Sequence, residues 1–214
     1  MAAPEPVDRP DPADAPAPLS RRERKKLETR DRIVDCAIAL FASRGYEATT
    51  MGDISEGADV ARATVFNYFA RKDEILGEWF ARRRAELAAT LARTDGDATD
   101  TAGRLRHAFR SLARLFEDDP VTGRAVVRAW LHAGGPLLPD TSLTPALFTD
   151  TIRAGQDHGD VPPHIDATRA GNVVFDAYLG VLYRWVNQDD DRFPFEEDLL
   201  ASLDLVLTGL LDRS

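Results

Sequence analysis

The sequence predicts an all-α chain of about nine helices, in which an N-terminal helix-turn-helix of three short helices precedes a larger C-terminal helical bundle. Three observations lead there. Apolar residues recur at helical spacing, as in Leu105, Ala108, Phe109, Leu112, Leu115 and Phe116. Between Arg32 and Leu76, three short helical segments are joined by tight turns. Asp119-Pro120, Gly134-Gly135-Pro136 and Pro162-Pro163 punctuate the remainder.

Residues 1–20 are mostly Ala, Pro and Asp, with almost no large apolar side chains. Such a composition cannot bury enough surface to offset ordering entropy, so a disordered tail is expected. The cationic run Arg21-Arg22-Glu23-Arg24-Lys25-Lys26 follows and leads into the first helix. Cations there oppose the helix dipole. Phosphate or minor-groove contact is one reason to accept that cost. A solvated charge run is the other reading.

The first helix carries Ile33, Ala37, Leu40 and Phe41 on one stripe, with Cys36 on the same face, and Gly45 closes it behind Arg44. Thr50 then precedes Met51-Gly52-Asp53, a capping box with Asp in place of the longer Glu. The helix from Met51 to about Ala58 holds Gly52 and Gly57 and is weak by propensity. Packing through Ile54, Ala58 and Val60 must therefore hold it. A left-handed residue is expected at Asp59, since Asp tolerates that conformation.

The third helix is small at its start and aromatic at its end: Ala61-Arg62-Ala63-Thr64-Val65-Phe66-Asn67-Tyr68-Phe69, followed by Lys72. Val65 and Phe69 lie four apart and are expected to face the core. Arg62, Thr64, Asn67 and Tyr68 fall on the other faces, and these residue types bond base edges and phosphates. Such a helix can enter a DNA major groove.

These residues resemble the TetR family of transcriptional regulators. Arg32, Ile33, Ala37, Leu40, Phe41, Gly45, Thr49, Thr50, Ile54, Ala58, Val60, Thr64, Tyr68, Phe69 and Lys72 match its DNA-binding pattern over about fifty residues. Three positions depart. Asp59 stands where the turn Gly is usual. Ala61 replaces the N-cap Ser, a loss of about 1 kcal/mol. Phe66 replaces a Tyr and removes a hydroxyl. The resemblance implies a repressor with a four-helix dimer interface made from its last two helices. It also implies an inducer that changes the spacing of the two recognition helices and releases the operator.

Net charge is −9 over 214 residues, which taken alone disfavours DNA. Its distribution reverses that reading. Residues 21–72 carry eleven Lys/Arg against eight acids, while residues 73–214 carry fifteen against twenty-four. The basic excess sits on the helix-turn-helix.

Beyond it, a long helix begins near Lys72 with Asp73 and Glu74 in its first turn, as the dipole prefers. Residues 94–100 form a turn-rich loop. Helices follow over Leu105–Phe116, Val121–His132, Thr144–His158, Asp166–Val186 and Phe195–Leu211. Gly171 and Gly180 permit close helix approach. The last two helices are apolar on more than one side, so one side faces their own subunit and the other a second copy. Tyr178–Trp185 and Leu199–Leu210 are the expected seam.

Other classes find little support. No 18-residue uncharged run exists, so no transmembrane helix is expected. No signal-peptide apolar region occurs at the N-terminus. A single Cys leaves no internal disulfide and suits a reducing cytoplasm. Gly-x-Ser-x-Gly, Walker A, Gly-x-Gly-x-x-Gly and His-Glu-x-x-His are absent, so no catalytic residue, cofactor or metal is assigned. Asp189-Asp190-Asp191 reads as a solvated acidic loop.

The resulting expectation is a homodimeric, DNA-binding repressor in three parts. Residues 1–20 form the tail, residues 21–72 bind double-stranded DNA, and residues 73–214 dimerise and enclose a small-molecule effector. Arg62, Thr64 and Asn67 are the candidates for base edges, and Thr50, Tyr68 and Lys72 for phosphates. His107, Phe109, Phe116, Trp130, Phe175 and Tyr178 are the candidates for an aromatic pocket that suits an apolar ligand, with His107 as a polar anchor. For His107 and Trp130 the competing reading is plain core, which such residues more often are. The alternatives are a small helical enzyme or ligand carrier with a vestigial helix-turn-helix, and an architectural DNA binder without a pocket.

Overall fold

The computed structural model describes residues 20–94, 100–135, 143–188 and 194–211. The expected tail, apart from Ser20, and the Asp189-Asp190-Asp191 loop lie outside the described residues. Among the described residues nine helices form and no strand does: α1 (Arg21–Arg44), α2 (Met51–Gly57), α3 (Arg62–Tyr68), α4 (Lys72–Thr94), α5 (Thr101–Glu117), α6 (Pro120–His132), α7 (Leu143–His158), α8 (Ala167–Asn187) and α9 (Phe195–Leu211).

Local chemistry sets most of these ends. Ser20 caps α1: its hydroxyl accepts from the Glu23 N–H, and the Glu23 carboxylate accepts from the Ser20 N–H at 2.8 Å. This capping box places an acid in a first turn otherwise crowded with cations. Thr50 and Asp53 build the same box on α2. Asp100, Asp119 and Asp166 cap α5, α6 and α8 with their carboxylates. Pro120, which stops the preceding helix, opens α6 in its first turn.

Asp59 has φ of 50°, the sole positive value among described non-glycine residues. The chain thus reverses between α2 and α3 through a left-handed residue, as the turn chemistry predicts. The weak α2 is held by packing: Ile54 and Ala58 are buried and Val60 is half-buried. Gly57 contributes to that packing. A Cβ there would lie 2.6 Å from Cys36 Sγ on α1, so the residue that weakens α2 also lets it approach α1.

One continuous apolar core runs from Ile33 on α1 to Leu207 on α9. α1 packs against α2, α4 and α6, and α5 lies centrally against α4, α6, α7 and α9. Helix α4 joins the two regions. Its Ile75 and Leu76 are fully buried, and Trp79 and Leu87 continue the same stripe.

Helix α8 packs on α7 and α9. At Gly171 a Cβ would lie 2.8 Å from the Thr149 backbone nitrogen, so Gly171 permits this close approach. Gly180 does not: its nearest neighbour would be Arg184 Nη1 at 3.7 Å. The two-sided character of α8 and α9 also resolves residue by residue. Tyr178, Val181, Leu182 and Trp185, with Leu199, Leu203 and Leu207, are buried within the chain itself. Among the described residues the large apolar side chains left facing outward on α8 and α9 are Val173 (46 % exposed), Tyr183 (59 %) and Leu205 (78 %).

Candidate nucleic-acid interface and ligand cleft

Helix α3 is anchored by Val65 and Phe69, both buried. That anchor turns the opposite face outward. Arg62, Ala63, Phe66 and Asn67 are exposed, and Thr64 and Tyr68 are half-buried. The Arg62 guanidinium lies 5.8 Å from the Phe66 ring centroid, within reach of a cation–π contact. Ala61 gives α3 no side-chain cap. Phe66 is the residue that sequence reasoning treated only as a missing hydroxyl. Its 44 % exposure makes it the large apolar surface of this face.

The three phosphate candidates sit in different circumstances. Thr50 is exposed at the start of α2, and its hydroxyl donates to Asp53 Oδ2 at 2.6 Å while accepting from the Asp53 N–H. The hydroxyl and the Thr50 N–H, both donating to Asp53 Oδ2, hold the Asp53 carboxyl below its ordinary range. Lys72 Nζ donates to the Tyr46 carbonyl at 2.6 Å and lies 4.3 Å from that ring's centroid. An ammonium has three donors, so this one is steered by Tyr46 with donors to spare. Tyr68 ends α3 half-buried.

Three polar pairs tie these helices to the bundle. Arg30 on α1 stacks 4.8 Å from the Phe69 ring and pairs with Glu78 on α4. Arg82 on α4 pairs with Asp31 at 2.7 Å and with Glu78 at 3.2 Å. The Arg30 hydrogen bond is the main cause holding the Glu78 carboxyl below its usual value. At the end of α6, His132 Nε2 lies 2.8 Å from Glu47 Oε1, in the loop ahead of α2.

The bundle holds a small, partly open cleft of about 60 Å³, which a ligand would have to widen to enter. Phe80, Leu112, Phe116, Trp130, Phe175 and Tyr178 supply apolar walls, and Arg83 and Arg84 of α4 also line it. Four of the aromatic candidates, Phe116, Trp130, Phe175 and Tyr178, are therefore brought together. Phe109 is fully buried, in ring contact with Phe148 at 5.6 Å and Tyr178 at 6.2 Å. His107 is half-buried on α5. Neither Phe109 nor His107 lines this cleft. The arginines were missed because nothing in their spacing separates them from a solvated helix face. Among the described residues no group of three His, Cys, Asp or Glu side chains is placed to hold a metal ion. No described helix is long and apolar enough to cross a membrane.

Comparison with known proteins places this geometry. Residues 33–78 match the family model for bacterial regulatory proteins of the tetR family. The HTH-type transcriptional regulator TcmR of Streptomyces glaucescens is 32 % identical over 166 residues, 77 % of this chain and 70 % of that protein. The HTH-type transcriptional repressor KstR of Mycobacterium tuberculosis is 26 % identical over 184 residues, 86 % of this chain and 81 % of its own length. Among solved structures, the TetR-family repressor FadR of Thermus thermophilus, crystallised with lauroyl-CoA, superposes with a TM-score of 0.68. It is 26 % identical, over 86 % of this chain and 96 % of that one.

Proposed function

This chain belongs to the TetR family of bacterial regulatory proteins, and from that premise we propose how its parts divide the work. It is a DNA-binding transcriptional regulator that responds to a small molecule. In our reading residues 21–72 bind the operator, and residues 73–214 dimerise and hold the effector. Arg62 and Asn67 on α3 read base edges with Thr64 beside them, and Thr50, Tyr68 and Lys72 meet phosphates. The carrying observation is the orientation of α3. Burial of Val65 and Phe69 leaves Arg62, Phe66 and Asn67 outward, on the one segment of the chain with a basic excess.

The homodimer is completed through α8 and α9, whose Val173, Tyr183 and Leu205 remain exposed in one chain. Two copies related by a two-fold axis then require a palindromic operator, with half-sites about one helical turn, or a multiple of it, apart. The effector sits in the cleft beside α4, and a repressor of the same fold was crystallised with a small molecule, lauroyl-CoA. Release works by repression lifted on binding: a ligand that favours the arrangement unable to span two half-sites must lower operator affinity. A cytoplasmic location, where the chromosome is reached, completes the reading.

A gel shift with the DNA upstream of its own gene, run across a salt series, tests this. Specific retention with a steep salt dependence is expected. Binding equal to that of random DNA at every salt concentration would overturn the reading in favour of a ligand carrier with a vestigial helix-turn-helix.

A further inference from the structure

We infer that Phe66 is a specificity-determining residue: its ring covers the C5-methyl group of a thymine in the major groove, next to the base pair that Arg62 reads. This rests on the DNA-reading orientation of α3 proposed above and assigns one more side chain to it. Phe66 is the one exposed phenylalanine among the described residues. It takes no part in the core, to which this segment gives Val65, Tyr68 and Phe69. The ring stands on the strip that those anchors turn outward. Arg62 lies one turn before it, Ala63 three residues before it and Asn67 beside it, all exposed.

An exposed ring gains by covering an apolar partner. Phosphates offer none, and a benzyl side chain has neither donor nor acceptor for them. At the base edges of the major groove the apolar group is the thymine methyl. Two neighbours bring the ring within reach of it. Ala63 carries only a methyl group, so this face of α3 can lie close to the base edges. The Arg62 guanidinium stands over the Phe66 ring, 5.8 Å from its centroid. A guanidinium has five N–H donors, and a contact with a ring leaves donors for guanine O6 and N7. Arg62 and Phe66 therefore read as a pair, the guanidinium on a guanine and the ring on the methyl of the adjoining thymine.

The probe is the upstream DNA of the gel shift above or, should that not be retained, the duplex that the full-length protein enriches from a random-sequence pool. Each thymine in it is replaced in turn by deoxyuridine, at the matching position of both half-sites. This exchange deletes the C5-methyl group and keeps every hydrogen-bonding group of the base. At one position the wild type is expected to lose about fourfold in affinity per half-site, the worth of one buried methyl group, and about fifteenfold over both. Phe66→Ala should bind the thymine duplex more weakly and no longer distinguish it from the deoxyuridine duplex at that position. Phe66→Ser should do the same, and carries the test should Phe66→Ala fold poorly. Deoxyuridine tolerated by the wild type at every position overturns the inference. So does a wild-type loss that persists in full in the variants, because another side chain then covers the methyl. Weaker binding by the variants without any methyl dependence overturns it too, and moves the ring to the sugar–phosphate backbone. All three results leave the DNA-binding reading standing. That reading falls, and this inference with it, if no duplex is enriched from the pool.

Discussion

The Arg30 guanidinium on α1 donates to the Glu78 carboxylate on α4 at 2.6 Å, across 48 residues of sequence. Arg30 also covers the Phe69 ring at the end of α3, while two turns beyond Glu78 α4 passes Arg83, Arg84 and Leu87 along the ligand cleft. One helix therefore touches both the α1–α3 unit and the cleft proposed for the effector.

This pair predicts a coupling variant with a pH signature. Glu78→Gln should leave effector binding intact and weaken the change in operator affinity that the effector causes. The folded Glu78 carboxyl titrates below its ordinary value, so its contribution is complete above the unfolded carboxylate range, near about 4.3. It is lost as pH falls through the depressed folded value. Melting curves of wild type and Glu78→Gln should thus differ at neutral pH and converge in acid. Because both partners are partly exposed, the neutral-pH gap should be no more than about 1 kcal/mol. A gap that widens on acidification would contradict this.

Base reading predicts a second result. Asn67→Ala and Arg62→Ala should each relax discrimination by about 1–3 kcal/mol at one base pair per half-site. Competition between operator variants measures it. Unchanged sequence preference in both variants would mean that α3 does not dock as proposed.

The basic start of α1 predicts a third. Ser20 and Glu23 cap this helix, so deleting residues 1–26 would fray it and confuse the readout. Replacing Arg21, Arg22, Arg24, Lys25 and Lys26 with Gln keeps the cap. If these cations meet phosphates, log K against log salt should flatten by about 0.9 for each phosphate no longer neutralised, alike for all sequences. An unaltered slope would identify a solvated charge run.

The turn between α2 and α3 predicts a stability series. With φ of 50° at Asp59, a β-branched side chain is strained there. Asp59→Val should cost about 1–2 kcal/mol, whereas Asp59→Gly should cost little or nothing. Denaturant unfolding ranks the two, and equal losses would remove the left-handed requirement.

The exposed apolar residues of α8 and α9 predict an assembly result. Val173→Glu with Leu205→Glu should give a folded monomer, because neither side chain supports the core of its own subunit. Leu203→Glu and Leu207→Glu are a contrasting pair: both side chains are buried within the chain, and their replacement should unfold it. Light scattering with circular dichroism separates these outcomes. A dimer surviving the first double change would place the interface elsewhere.

The sequence by itself determined whatever depends on near neighbours. Helical periodicity, the Thr50–Asp53 box, the left-handed residue at Asp59 and the α3 anchors Val65 and Phe69 are all set within a few residues, where spacing and backbone sterics suffice. The Ser20–Glu23 box is equally local, and its spacing is legible in the same way. The tertiary structure alone decided how each helix is rotated against partners far along the chain. Leu203 and Leu205 stand two apart on one apolar helix, yet the first is buried by the chain itself and the second points away. Phe109 and Phe116 share one stripe of α5, but only Phe116 borders the cleft. Arg83 and Arg84 look like any solvated pair until Trp130 and Tyr178, brought in from α6 and α8, enclose the space beside them. Rotation and enclosure are sums over many long-range packing interactions, and a local pattern of residue types does not specify them.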